Sequence, residues 1–177
     1  LNTFWRNQDG DLTISTAEGP FDTVGYIEGS ISEERYIKQT VYTVPDSALE
    51  EYDYAGGANG QEKKTYVVSG FAKGTGQVAN KNSKFGLRID VTYYQGSANE
   101  DEVISHYFKF DTDCVDWQFV AGTFSTEANN LVRQIDVICE YSYQPGGYAL
   151  FDNIALTKGS DVVEYKYYDS ARTWASS

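Results

Sequence analysis

Short runs in which apolar and polar residues alternate recur along the whole chain, rich in Val, Ile, Tyr, Phe and Thr. This period of two restricts the fold more than any other feature, because successive side chains of a strand point to opposite faces. Such runs occupy residues 12–16, 24–28, 36–44, 65–73, 85–94, 103–110, 117–124, 132–143, 148–156 and 162–168. Glycine-rich clusters at 56–60, 74–76, 95–97 and 145–147 separate them and supply the positive φ angles that chain reversal needs. No segment carries a convincing helical period. About ten strands with glycine-rich turns predict an all-β chain, an antiparallel β-sandwich of the jelly-roll type in a single domain. The connection 47–62, with the acidic run 50–54, is long for a structureless loop and reads as a functional or mobile one.

A length of 177 residues suits one such domain and one core. The formal charge of −12, from 26 acidic against 14 basic residues, would repel a phosphate backbone, so neither nucleic acid nor anionic lipid is expected as a partner. No stretch approaches the roughly 20 apolar residues of a membrane helix, and no membrane insertion is expected. The chain begins at Leu1, contains no methionine and lacks a signal-peptide pattern, and is read as a piece of a larger protein. Residues 1–158 form the expected module, and 159–177 a terminal strand and linker to neighbouring domains of the parent chain. Tyrosine, with 15 copies, outnumbers Phe and Trp together, and its amphipathic ring suits a half-wet binding surface.

Signatures of catalysis fail on their context. His106, the single histidine, lies in a strand-like run with no nucleophile elbow to partner it. Gly74-Thr75-Gly76-Gln77-Val78-Ala79 has dinucleotide-loop spacing but no helix after it, so it reads as a turn. Aligning Gly10 with the glycine of a calcium loop puts Trp5 and Thr16 where acidic ligands belong. Cys114 and Cys139 are too few for a zinc site; Cys139 reads as a buried free thiol or as one half of a bridge to Cys114. The chain is expected not to be an enzyme.

Alternation also sorts the strand faces. In 85–94, Phe85, Leu87, Ile89, Val91 and Tyr93 form the inward set, which leaves Arg88, Asp90, Thr92 and Tyr94 on the other face. In 103–110, Phe108 and Phe110 point inward and Tyr107 and Lys109 outward. In 132–143, Gln134, Asp136 and Glu140 face out if Ile135, Val137 and Cys139 face in. Should these strands share one sheet, Arg88, Asp90, Tyr94, Tyr107, Gln134 and Asp136 line a shallow groove. A pyranose presents an apolar C–H face and equatorial hydroxyls, and such a groove would meet it with aromatic rings and planar hydrogen-bonding groups.

An ordered series of segments carries a family resemblance. It runs Val24-Gly25-Tyr26-Ile27-Glu28-Gly29, Glu33 to Val41, Thr65 to Lys73, Phe85-Gly86-Leu87-Arg88-Ile89, Asp116-Trp117-Gln118-Phe119-Val120 and Ala149 to Leu156. The series resembles the carbohydrate-binding-module jelly roll of the family 4/9/16/22 type, and within it the version embedded in Gram-positive wall-associated RHS/YD-repeat proteins. The resemblance implies a non-catalytic module that binds polysaccharide or glycan in an extracellular, secreted or cell-surface setting. The alternative it leaves is a structural or adhesion spacer of a surface or toxin-delivery protein, without a sugar ligand. It further implies a structural Ca2+ on Asp152, in Phe151-Asp152-Asn153-Ile154, with Glu28, Asp9 or Asp11 as co-ligands, and a core position for Trp117.

Overall fold

The computed structural model describes residues 5–7, 24–49, 61–159, 165–168 and 173–176. In chain order they form β1 (Arg6–Asn7), β2 (Gly25–Glu28), β3 (Tyr36–Thr43), the one-turn helix α1 (Asp46–Leu49), β4 (Thr65–Thr75), β5 (Gly86–Tyr94), β6 (Glu102–Lys109), β7 (Gln118–Ser125), β8 (Leu131–Glu140), β9 (Tyr148–Lys158), β10 (Tyr165–Tyr168) and β11 (Thr173–Ser176). One antiparallel sheet has the order β1-β3-β8-β5-β6 and a second has β2-β9-β4-β7; β10 and β11 pair with each other. The two larger sheets make the predicted β-sandwich, in which sequence neighbours are often not sheet neighbours, as in a jelly roll. Slightly fewer strands than expected enter it. The run 12–16 lies outside the described residues, and part of the expected polar tail forms β11 instead.

Strand β5 shows how alternation builds the core. Leu87, Ile89, Val91 and Tyr93 are buried, whereas Arg88, Asp90, Thr92 and Tyr94 are only half-buried. The same period in β8 sends Ile135, Val137 and Cys139 into the core, and β9 adds Ala149 and Phe151 from the opposite sheet. Phe85, Phe110, Tyr141 and Phe151 close one end of this core, with ring centroids 5.1 to 6.0 Å apart in tilted and edge-on pairs. Both cysteines are free thiols, and Cys139 is one of the buried hydrophobes. Trp117, expected in the core, is half-buried and stands outside the core cluster among the described residues.

The run expected to continue to residue 143 leaves the ladder after Glu140. The reason is in the side chains that follow. Arg35 N donates to Ser142 Oγ at 2.9 Å, and that hydroxyl donates to Arg35 O at 3.1 Å. Gln144 accepts from Val78 N and donates to Lys84 O, while the Tyr141 hydroxyl donates to Thr75 O. These buried groups bond the backbone of the segments around them, at Arg35, Thr75, Val78 and Lys84, so the stretch ties those segments together. Within the next turn Gly147 has φ +70, and a Cβ there would lie 1.6 Å from Thr75 O, so the turn tolerates only glycine.

His106 lies on the inner side of β6, opposite Ile89, its ring 5.0 Å from that of Phe124. Its Nε2 is buried without a hydrogen-bond partner, and burial lowers its pKa below the ordinary 6.5. The histidine therefore packs as a neutral ring, as its strand context indicates. The unfolded imidazole takes up a proton near 6.5 while the folded one resists it. This group thus contributes stability above about pH 6.5 that is lost as the pH falls through the lower folded value. His106→Phe is expected to lose less stability than the parent chain between about pH 7 and about pH 5, measured by urea unfolding at each pH; equal losses in both proteins would contradict the assignment.

Candidate functional site

The face of the five-stranded sheet turned away from the core is crossed by rows of side chains set by the strand register. Lys38, Ile138, Arg88 and Tyr107 stand side by side on β3, β8, β5 and β6. Thr40, Asp136, Asp90 and Ser105 form the next row, and Thr43, Gln134, Thr92 and Val103 the one after it. Tyr94 follows at the end of β5, opposite Leu131. The six residues expected to line a groove, Arg88, Asp90, Tyr94, Tyr107, Gln134 and Asp136, therefore share one face of three adjacent strands.

Their chemistry differs from an open polar surface. Ile138 is 1% exposed, Glu140 3% and Asp136 6%, although all three point away from the core. Charges held this far from water need partners, and the neighbouring strands supply them. Asp136 accepts from Thr40 Oγ1 at 2.6 Å and from Gln134 Nε2 at 2.9 and 3.0 Å, with Lys38 Nζ 3.5 Å away. Arg88 donates to Glu140 at 3.0 Å and to Glu34 at 2.9 Å, and its Nε lies 3.3 Å from Asp90. Ser105 Oγ donates to Asp90 at 2.7 Å. Burial pushes the Glu140 carboxyl above its usual range, and Arg88 opposes that shift.

The tyrosines on this face are not equivalent. Tyr107 stands beside Arg88 with its hydroxyl buried and without a partner, and burial, helped by the Glu140 charge, raises its pKa. Its ring carries Lys84 Nζ 5.6 Å above its centre, and the Arg88 guanidinium sits 5.9 Å from the Tyr36 ring. Tyr36, Tyr94 and Tyr107 thus edge a charged centre and do not form a continuous aromatic floor. Glu140, named as outward-facing, is its most buried acid; Lys38, Thr40, Glu34 and Tyr36 went unnamed, because pairing of β3 with β8 leaves no periodic trace.

The two described residues expected at the calcium, Asp152 and Glu28, stand apart. Asp152 is buried and accepts from Asn153 N at 2.7 Å. Glu28 is exposed opposite Tyr148, four residues along β9 from Asp152, a separation of about 13 Å at strand rise. Among the described residues no group of three or more His, Cys, Asp or Glu side chains is arranged to hold a metal ion. Asp9 and Asp11 lie outside the described residues.

The Arg88–Glu140 pair generates a prediction. Arg88→Met takes the buried Glu140 carboxylate's ion-pair partner away and is expected to cost about 3 kcal/mol at neutral pH. With its folded pKa raised above the ordinary 4.5, Glu140 favours the fold below that value and loses this contribution as the pH rises through the folded one. The cost should therefore shrink in acid, as denaturant unfolding near pH 7 and pH 4.5 would show; a cost independent of pH would mean that the pair carries little.

No family model and no curated protein matches the chain in sequence. Among solved structures, a family 16 carbohydrate-binding module is similar over 80% of this chain and 79% of its own, at 15% identity and a TM-score of 0.45. The CBM22-1 xylan-binding domain from Paenibacillus barcinonensis Xyn10C matches over 90% of this chain and 88% of its own, at 12% identity and a TM-score of 0.47. The enzymatically active domain of bacteriophage CBA120 tailspike protein 4 matches over 89% of this chain, which spans 20% of that one, at 10% identity and a TM-score of 0.47. Likeness of this size does not reach ligands, because one fold hosts many functions.

Proposed function

We propose that this chain is a non-catalytic glycan-binding module of a secreted or surface protein, with its ligand laid across the outer face of the five-stranded sheet. The observation that carries the reading is the alignment of Arg88, Asp90, Gln134 and Asp136 with Tyr94 and Tyr107 on one face of adjacent strands. The carboxylate, amide and guanidinium groups are held in place by mutual hydrogen bonds, so a ligand would not have to order them. A spacer module without a sugar ligand is the second reading, and burial at the centre of the face favours it: Arg88 is paired with Glu34, Asp90 and Glu140, and the Tyr107 hydroxyl is buried.

The two readings separate in a glycan array and an insoluble-polysaccharide pull-down. Retention on a defined polysaccharide, weakened about tenfold or more by Tyr94→Ala and Asp90→Asn, is expected of the binding module. Absence of retention from a folded sample would favour the spacer. Running the assay and a thermal melt in calcium and in chelator tests the calcium expected at Asp152: equal melting temperatures would remove the ion from the proposal.

A further inference from the structure

A second concavity opens between the sheets, on the opposite side of β3 and β8 from the rows just described. It has a volume of about 330 Å3, the lower end of the range for small-molecule sites. Trp5, Gln39, Tyr42 and Tyr66 line it, with aliphatic walls from Ile135 and Val137 of β8 and Ile154 and Leu156 of β9. None of its described lining residues is charged. A smaller cavity shares Tyr42, Tyr66 and Ile135 and leads towards Gln61, Thr126 and Asn130.

A backbone irregularity puts the aromatic residue there. The β3–β8 register runs Thr40↔Asp136 and then Tyr42↔Ile135, so Val41 is the extra residue of a bulge. In an unbroken ladder Tyr42 would follow Thr40 onto the outer face; with the bulge it pairs with the inward-facing Ile135 and borders the cavity. Val41 and Tyr42 nonetheless remain 43% and 46% exposed, so solvent reaches the opening. Tyr66 is fixed by stacking on Phe124 at 5.4 Å.

We propose that this inter-sheet cleft is a ligand site of its own, which takes one neutral sugar ring. Uncharged walls disfavour an ionic ligand, whose desolvation they could not offset. The three aromatic side chains match the apolar C–H face of a pyranose, while the Gln39 amide, the Trp5 indole N–H and the tyrosine hydroxyls supply hydrogen bonds for its rim. The volume suits a single residue, either free or at the end or branch of a chain. The site does not depend on the outer-face reading, because its residues, apart from Trp5, lie on the inner side of β3 and β8 and on the facing strands β4 and β9.

The test is a proton–nitrogen NMR titration of the chain with methyl pyranosides of glucose, galactose, mannose and xylose, and with the corresponding disaccharides. The chain has 3 tryptophans, so the Trp5 indole signal is assigned by its loss in Trp5→Phe. A saturable shift of that signal is expected with at least one sugar, weakened about tenfold or more in Tyr42→Ala and Gln39→Ala and kept in Tyr94→Ala. Saturation by methyl glycosides indicates recognition of a lone ring, and saturation by disaccharides alone a chain end. No saturable shift with any sugar overturns the proposal, as does a shift unaltered in both Tyr42→Ala and Gln39→Ala. Loss of the shift in Tyr94→Ala alone would assign it to the outer face and overturn the separate site, whereas Trp5 binding without polysaccharide retention would sink the outer-face reading and leave this one standing.

Discussion

Burial of one face of every long strand against the opposite sheet is the constraint on which the rest depends. Two sheets of polar backbone stay together only because Leu87, Ile89, Val91, Val137 and Cys139 from one meet Val68, Ala72, Phe124 and Phe151 from the other. The filling is uneven. Phe85, Phe110, Tyr141 and Phe151 crowd one end, while the inward side of β3 at the other end carries Gln39 and Val41, too small and too polar to fill the same depth. The cleft lies at that other end, with Trp5, Tyr42 and Tyr66 along its walls.

The outer face obeys a different rule. Asp90 and Asp136 stand directly across the β5–β8 pair, where like charges destabilise a sheet. The arrangement survives because each acid has partners on its own strand and on a flanking one: Arg88 and Ser105 for Asp90, Gln134, Thr40 and Lys38 for Asp136. Glu140 and Arg88 repeat the pattern one row away. The network explains how the central strand of the sheet carries two buried acids on its outer side, and it ties β3, β8, β5 and β6 together through side chains as well as through backbone.

Much of this was legible from the order of residues. The faces of β5 follow from its alternation, as do the outward positions of Tyr107, Gln134 and Asp136, because a period of two needs no knowledge of the partner strand. Adjacency was not legible: nothing in the run 36–44 says that it will lie beside β8, so Lys38 and Thr40 could not be matched to Asp136. The bulge after Thr40 hid as well, since one extra residue moves Tyr42 to the other face without changing composition. Ser142 reads as strand because it continues the alternation, yet β8 ends at Glu140 and the Ser142 hydroxyl bonds the backbone of Arg35. Trp117 was placed in the core by resemblance alone, and the start of β7 leaves it half-buried.

The internal pairing of the outer face also shapes what it could recognise. A group that binds Asp136 competes with the hydrogen bonds from Thr40 and Gln134, and one that binds Arg88 Nη1 competes with Glu140 and Glu34. Each such exchange trades one satisfied bond for another and contributes little net free energy. A ligand that fails to restore the lost bond instead leaves a buried charge short of a partner, which costs far more. Discrimination on this face would therefore come from penalties against poorly matched ligands, and affinity from the aromatic rings at its border.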